Sequence, residues 1–537
     1  MGKRIICAVL IAALAIGLWH VASVTYDPMY GAVDEETMIV DKDSSEDNNI
    51  LTLWYTDEAL TDYLSSVALS FQQNQNIRVN IVLKSGVEFL EEINSVSISN
   101  ESQKTEAMPD LYITSHDNLL RAYLAGIASP ISDPEGIVNN RLFPDTAIHA
   151  VTCYGNPVAY PLYYETNFFL YNKTYMAMIA QNKIETELDR AEGEAATKEL
   201  LENGAPVVNN DTSNNDSSED SNIDKQNSED NGESAVENDN GEEELDDPMG
   251  EEDVTASQEV RDRLATMIPA TLEDVTTFAN NYDAPDAVEA VFKWDISDIF
   301  YNYFFVGNYM DVGGADGDNA AMFHIYNSQA VECLQSYQNM NQFFEVDEDK
   351  DTYDQILQDF IDGKLVFTVA TTDAIAKIER AKHNGNFEFD YGVTNLPDID
   401  KLLKTKGLSV TETVAINGYS VKQDEANLLA TYMVNEKSPD LYINTGKMAC
   451  NRLVTYDNSE VLKVMTEYEK SVSLPKMIET ANFWVQLEIA FTKVWKGADP
   501  DETLRELSDT IGAQIEKIRA NLPMQETFSA GGGKFIQ

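Results

Sequence analysis

The chain has 537 residues, 92 of them acidic and 37 basic, for a formal charge of −55. That length exceeds one compact core and fits two or more domains with appendages. The acidity argues against nucleic acid as a partner, because phosphate binding draws on clustered Lys and Arg to release counterions.

Lys3 and Arg4 precede an uncharged apolar run over residues 5–24. Such a run is long enough to span a bilayer as a helix, with its basic flank on the cytoplasmic side. It predicts a signal or membrane anchor over 1–25 and places the rest of the chain on the extracytoplasmic side. Retention and cleavage both stay open, since Val21 and Ser23 offer only a weak small-x-small site. Cys7 lies at the start of the run, whereas a lipid-modified cysteine would follow its end. Residues 26–49 are acidic and aperiodic and read as a stalk.

Folded periodicity begins at residue 50. A short apolar strand over 50–54 leads into a helical pattern over 56–71, with Leu60, Leu64, Val67, Leu69 and Phe71 as its apolar positions, and a second strand follows over 78–83. Strand, helix, strand predicts a parallel α/β layer. The unit recurs with a strand over 110–113 and a helix over 118–125, after which 157–161 leads into a strand at 168–171. From 185 to 253 the chain holds 25 Asp or Glu, 3 Lys or Arg and no aromatic residue. That tract cannot offset its ordering entropy by apolar burial and is expected to be a disordered acidic insertion, its first part extending a helix to about Asn203. Thr271, with Asp274 three residues on, marks a helix start. Mixed or helical segments follow over 292–305 and 330–344, strands over 365–370 and 389–397, then a mainly helical block and a loose tail over 523–537.

Chemistry-bearing motifs are sparse. The sequence contains no G-x-S-x-G, H-E-x-x-H or P-loop, so neither a common hydrolase nor a cofactor site is indicated. Two carboxylates suited to a glycosidase need no motif and stay open. Cys7, Cys153, Cys333 and Cys450 have no zinc-like spacing; outside the apolar run they are expected to be buried free thiols. The acidic stretches 311–319 and 346–354 lack full EF-hand spacing and read as solvated turns rather than metal sites.

Several stretches, taken in order, carry a resemblance: LTLWYTDEALTDYL (51–64), MPDLYITSHDNLLRAYLAGIASPI (108–131), AYPLYYETNFFLYNK (159–173), FIDGKLVFTVAT (360–371), YGVTNLP (391–397) and ANFWVQLEIAF (481–491). Together they resemble the maltose-binding type of extracellular solute-binding protein of ABC importers. The resemblance implies an α/β, two-lobed fold of the periplasmic-binding-protein kind (type II), its lobes joined by crossover strands. It assigns 50–163 and 396–436 to lobe 1, and 164–184, 254–395 and 437–522 to lobe 2. It also implies a small polar ligand, with a sugar favoured, closure of the lobes around it, and ABC transporter membrane subunits as partners. A ligand-sensing or surface scaffold protein on the same fold is the alternative.

Carried across position by position, the resemblance implies ligand contacts from Thr56, Asp57 and Glu58 after the first strand, and from Ser115 and Asp117 after the third. It adds Glu165 at the lobe crossover, Asp295 near Trp294 and Asp298, Thr371 in the loop running to Asp373, and Trp484 as an aromatic platform. Trp54 reads as core, and Asp117 also suits a helix cap. Thr114 and Thr371 stand about where maltodextrin binders place tryptophans, which points away from a long glucan.

Overall fold

The computed structural model describes residues 49–99, 107–203, 257–344, 346–348 and 350–521, and a compact unit begins at Ile50. The expected anchor, nearly all of the stalk, Cys7, the acidic tract beyond Asn203 and the tail lie outside the described residues. Among the described residues, no helix is long and apolar enough to cross a membrane.

The longer strands are β1 (Ile50–Tyr55), β2 (Arg78–Leu83), β3 (Leu111–Ser115), β4 (Ala159–Asn172), β5 (Ala290–Lys293), β6 (Leu365–Thr371), β7 (Tyr391–Thr394) and β8 (Leu408–Ile416). β1 lies between β2 and β3, parallel to both, as the strand–helix–strand pattern predicts. The intervening helix Thr61–Gln75 buries Tyr63, Leu64, Val67 and Phe71 against this layer. Leu69, expected on that face, is 63% exposed. Two residues of helix turn it some 200° from Val67, to the far side of the cylinder.

The hydrogen-bonded order is β2-β1-β3-β8-β4-β6-β5, with β7 also on β4. The 14-residue β4 serves both lobes. Its first part pairs antiparallel with β8, from Ala159 to Thr166, and its last part pairs antiparallel with β6 and β7, from Asn167 to Asn172. The sequence suggested a strand only at 168–171, with 157–161 leading into it, and no strand at β8. Burial on both faces explains the miss at β4, because it erases the alternation that marks a half-exposed strand, while β8 keeps a polar face of Ser409, Thr411 and Thr413 opposite Leu408, Val410 and Val414.

Corrections of the same kind arise elsewhere. The region read as mixed or helical over 292–305 holds the end of β5 and two short 3-10 turns, Ile299–Tyr301 and Tyr303–Phe305, the first capped by the Asp298 side chain. Residues 437–450, expected in lobe 2, hydrogen-bond to the other half of β4. Met448 and Ala449 pair with Tyr164 and Tyr163, and the Cys450 N–H donates to the Leu162 carbonyl at 3.0 Å, so this segment is built onto the lobe 1 half of β4. The helix Leu272–Asn281 starts in the expected capping box of Thr271 and Asp274, and the helix Lys173–Asn203 runs to the expected point.

One apolar core runs from β1 and the helix Thr61–Gln75 across β4 to the helix Tyr353–Ile361. Another surrounds Trp294. Trp54 is fully buried in a third, as expected. Cys153, Cys333 and Cys450 are buried free thiols.

His116 shows what holds β3 and β8 together. Its Nδ1 accepts from the Thr411 N–H at 3.0 Å and its Nε2 donates to the Leu474 carbonyl at 3.0 Å, in full burial. Burial lowers its pKa to about 4 against the opposing pull of Asp117. The folded chain therefore stays unprotonated while the unfolded chain protonates near 6.5, so this contribution is complete above pH 6.5 and is lost as pH falls toward 4. Against a His116→Leu chain, the stability advantage of the parent should shrink over that interval by up to about 3 kcal/mol. Denaturant midpoints measured from pH 7 to 4.5 check this; a constant gap would refute it.

A candidate ligand cleft on the crossover strands

Alternation along β4 and β8 sorts their side chains onto two faces. Tyr164 and Thr411 point one way: the Tyr164 ring stacks on Tyr468 with centroids 4.0 Å apart, and Thr411 Oγ1 lies 2.6 Å from the Tyr468 hydroxyl. The helix Ser459–Lys470 thus covers that face. Behind it a cavity of about 490 Å³ is lined by His149, Asp311, Lys406 and Glu469. None of the expected ligand residues lines it.

The opposite face carries Tyr163, Glu165 and Glu412, and here expected residues from separate stretches meet. Lys447 Nζ lies 2.8 Å from Asp57 Oδ2, 3.9 Å from Glu165 Oε1 and 4.7 Å from the centre of the Tyr163 ring. The Tyr163 hydroxyl donates to Asp57 Oδ2 at 3.3 Å, and Asp57 Oδ1 accepts from the Ala59 N–H at 3.0 Å. Burial works to raise the Asp57 pKa, but Lys447 and these donors outweigh it and hold the carboxyl below its usual value. Thr56 and Glu58 flank Asp57 and are exposed.

Ser115 ends β3 beside this group, its hydroxyl donating to Asp117 and paired in register with Glu412. Glu165 sits on β4 one residue before the pairing switches toward lobe 2. Its side chain is 48% exposed. Loss of surrounding water raises its pKa, Lys447 lowers it, and Asp373 and Asp57 raise it further.

A second polar group faces the cleft from lobe 2. Thr371 Oγ1 donates to the Tyr353 hydroxyl oxygen at 2.9 Å, and the Tyr353 hydroxyl donates to Asp373 Oδ1 at 2.6 Å. Asp373 Oδ2 meets Lys377 Nζ at 2.9 Å, and the Tyr301 ring stacks on Tyr353 at 4.8 Å. Among the described residues, no hydrogen bond or ion pair joins this group to the Asp57–Lys447 group. Glu165 stands between the two and senses both.

Asp295 and Trp484 have other surroundings. Asp295 is buried; its Oδ1 accepts from the Ser297 N–H and hydroxyl, and its Oδ2 from the Tyr353 N–H at 3.0 Å, so it fixes the start of the helix Tyr353–Ile361. Trp484 is partly buried edge-on to Tyr303, with centroids 5.2 Å apart, and against Phe483. The sequence reading did not single out Tyr163, Lys447, Glu412, Tyr353 or Tyr301. Glu412 left a signal, a charge inside the strand-like run LSVTETVAI; Lys447 left none, because only the tertiary fold brings its loop to Asp57. Among the described residues, no group of His, Cys, Asp and Glu could hold a metal ion, the stretch 311–319 included.

Two α/β lobes sharing crossover strands, with polar side chains facing each other across the joint, make the fold that of the maltose-binding type of solute-binding protein. Among solved structures, an extracellular solute-binding protein from Staphylococcus aureus in complex with maltose matches with a TM-score of 0.61 at 17% identity, covering 89% of this chain and 100% of that one. A cyclo/maltodextrin-binding protein complexed with maltotetraose matches at 0.60 and 17%, covering 89% and 98%. A maltose-binding periplasmic protein from Listeria monocytogenes in complex with maltose matches at 0.59 and 16%, covering 89% and 100%. No protein-family model and no curated protein matches the chain.

Proposed function

We propose that the chain binds a small polar solute, with a sugar as the leading class, in the cleft between its lobes, and delivers it on the outer side of a membrane to the membrane subunits of an ABC importer. The observation that carries this reading is Glu165, an accessible carboxylate on the strand shared by both lobes, flanked by one polar group from each. A solute that bridges these groups favours the arrangement in which both contact it, and so closes the lobes by differential affinity. The same likeness supports action by binding rather than by bond cleavage, and sugar glycosides incubated with the protein should be recovered intact.

Thermal unfolding of the full chain against a panel of sugars, amino acids and polyamines tests the reading. A ligand at 100 times its dissociation constant should stabilise the protein by about 2.7 kcal/mol. Glu165→Gln should roughly halve that gain at the same ligand concentration, as a tenfold weaker affinity requires, and the unliganded variant should still unfold cooperatively. A panel without any stabilising solute would overturn the proposal. If import is the outcome of binding, deleting the gene should abolish uptake of the stabilising solute.

A further inference from the structure

Acceptors outnumber donors in this cleft, and the imbalance falls on three side chains. Asp57 is satisfied by Lys447, Tyr163 and its own turn, and Asp373 by Tyr353 and Lys377. Among the described residues Asp117 has only the Ser115 hydroxyl, on one oxygen. Glu165 has, among the described residues, only Lys447, at the long distance of 3.9 Å, and that ammonium is already engaged by Asp57 at 2.8 Å. Glu412 has no hydrogen-bond or ion partner among the described residues, although it is partly buried. Glu165, Asp117 and Asp57 crowd Glu412 with negative charge, and Lys447 opposes them. A buried carboxyl kept without a partner is costly, and stays so until a donor arrives.

Resting on the binding-protein reading of the preceding section, we propose that the natural solute carries a protonated amine, seated among Glu165, Glu412 and Asp117. An ammonium brings positive charge and N–H donors to these three groups and favours the charged form of Glu412, whereas a neutral polyol brings hydroxyls that both donate and accept. Aromatic faces complete the match, since Tyr163 already carries one ammonium over its ring and Tyr353 holds that of Lys377 at 5.3 Å. The amine can belong to an amino sugar or to an aliphatic polyamine.

Calorimetric titration of the full chain with glucosamine, the glucosamine disaccharide, spermidine and maltose at two salt concentrations decides the matter. At least one amine should bind more tightly than maltose and weaken as salt rises, the glucosamine and spermidine arms telling the sources apart. Glu165→Gln and Glu412→Gln should each weaken that amine about tenfold, the value of a charge-assisted contact. The melting temperatures of the unliganded variants show that they fold, and Asp117→Asn supplies a third test outside the crossover strands. N-acetylation of the amino sugar, which removes the charge and keeps the ring, should abolish binding if the sugar arm is the right one. Binding confined to maltose or to other neutral sugars, insensitive to salt, would overturn the amine while leaving the binding-protein reading intact. If neither amines nor neutral solutes bind, both fall.

Discussion

Glu412→Gln is expected to stabilise the protein above neutral pH and to flatten its dependence on pH. Burial first, then Glu165, Asp117 and Asp57, lift the Glu412 pKa to about 8, with Lys447 opposing. The unfolded chain releases this proton near 4.5, so between the two values the folded state holds the proton that the unfolded state has lost. Stability contributed by the protonated group is therefore present below about 4.5 and declines as pH rises toward 8. Allowing for the solvent that still reaches the cleft, the variant should gain about 1–3 kcal/mol at pH 8 and little at pH 5. Glu165, whose pKa is also raised, adds to the decline in the parent, and Asp57, whose pKa is lowered, acts the other way. Denaturant midpoints of both chains at pH 5, 6.5 and 8 measure the effect. Parallel curves would show that Glu412 is not the group responsible.

Trp294→Ala should cost more than any change in the cleft. Trp294 is fully buried, its Nε1 donates to Asn302 Oδ1 at 2.9 Å, and its rings meet Phe292 at 4.9 Å and Trp495 at 5.7 Å. Truncation leaves a cavity that this aromatic surround cannot fill and an amide oxygen without its donor. About 3–5 kcal/mol is expected from the cavity alone, and the orphaned Asn302 adds about 1 kcal/mol or more. Asn302 also donates to the Asp295 and Asp298 carbonyls, which links the loss to the turn leading into Tyr301 at the cleft. The variant should therefore melt markedly lower and also bind ligand less well. A near-normal melting temperature would mean that the core is less continuous than these contacts imply.

Much of this architecture was legible in the amino-acid order. β1, the amphipathic helix Thr61–Gln75 and β2 announce themselves by period, and Thr271 with Asp274 by capping chemistry. β4 was missed as one continuous strand for a physical reason, since burial on both faces leaves it few polar residues to alternate with, whereas β8 does alternate, with Ser409, Thr411 and Thr413 opposite Leu408, Val410 and Val414. The candidate cleft was legible only through resemblance, and unevenly. Asp57, Ser115, Asp117, Glu165 and Thr371 come to one face of the joint, whereas Asp295 is taken up by backbone donors and Trp484 packs on Tyr303. Spacing along the chain cannot reveal that a carboxylate has already been neutralised from elsewhere. Lys447 makes the same point from the other side, because its meaning depends on a loop that reaches Asp57 across some four hundred residues of chain.

The continuity of β4 has a mechanical consequence. Glu165 lies within two peptide units of the place where the strand changes partners, so a solute held there sits at the axle of the molecule rather than at its rim. Near an axle a turn of one lobe against the other displaces atoms very little, while at the outer edges of the lobes the same turn sweeps a long arc. Small, short-range contacts at the joint are thus geared into large displacements on the distant surface, where another protein could read them without touching the solute.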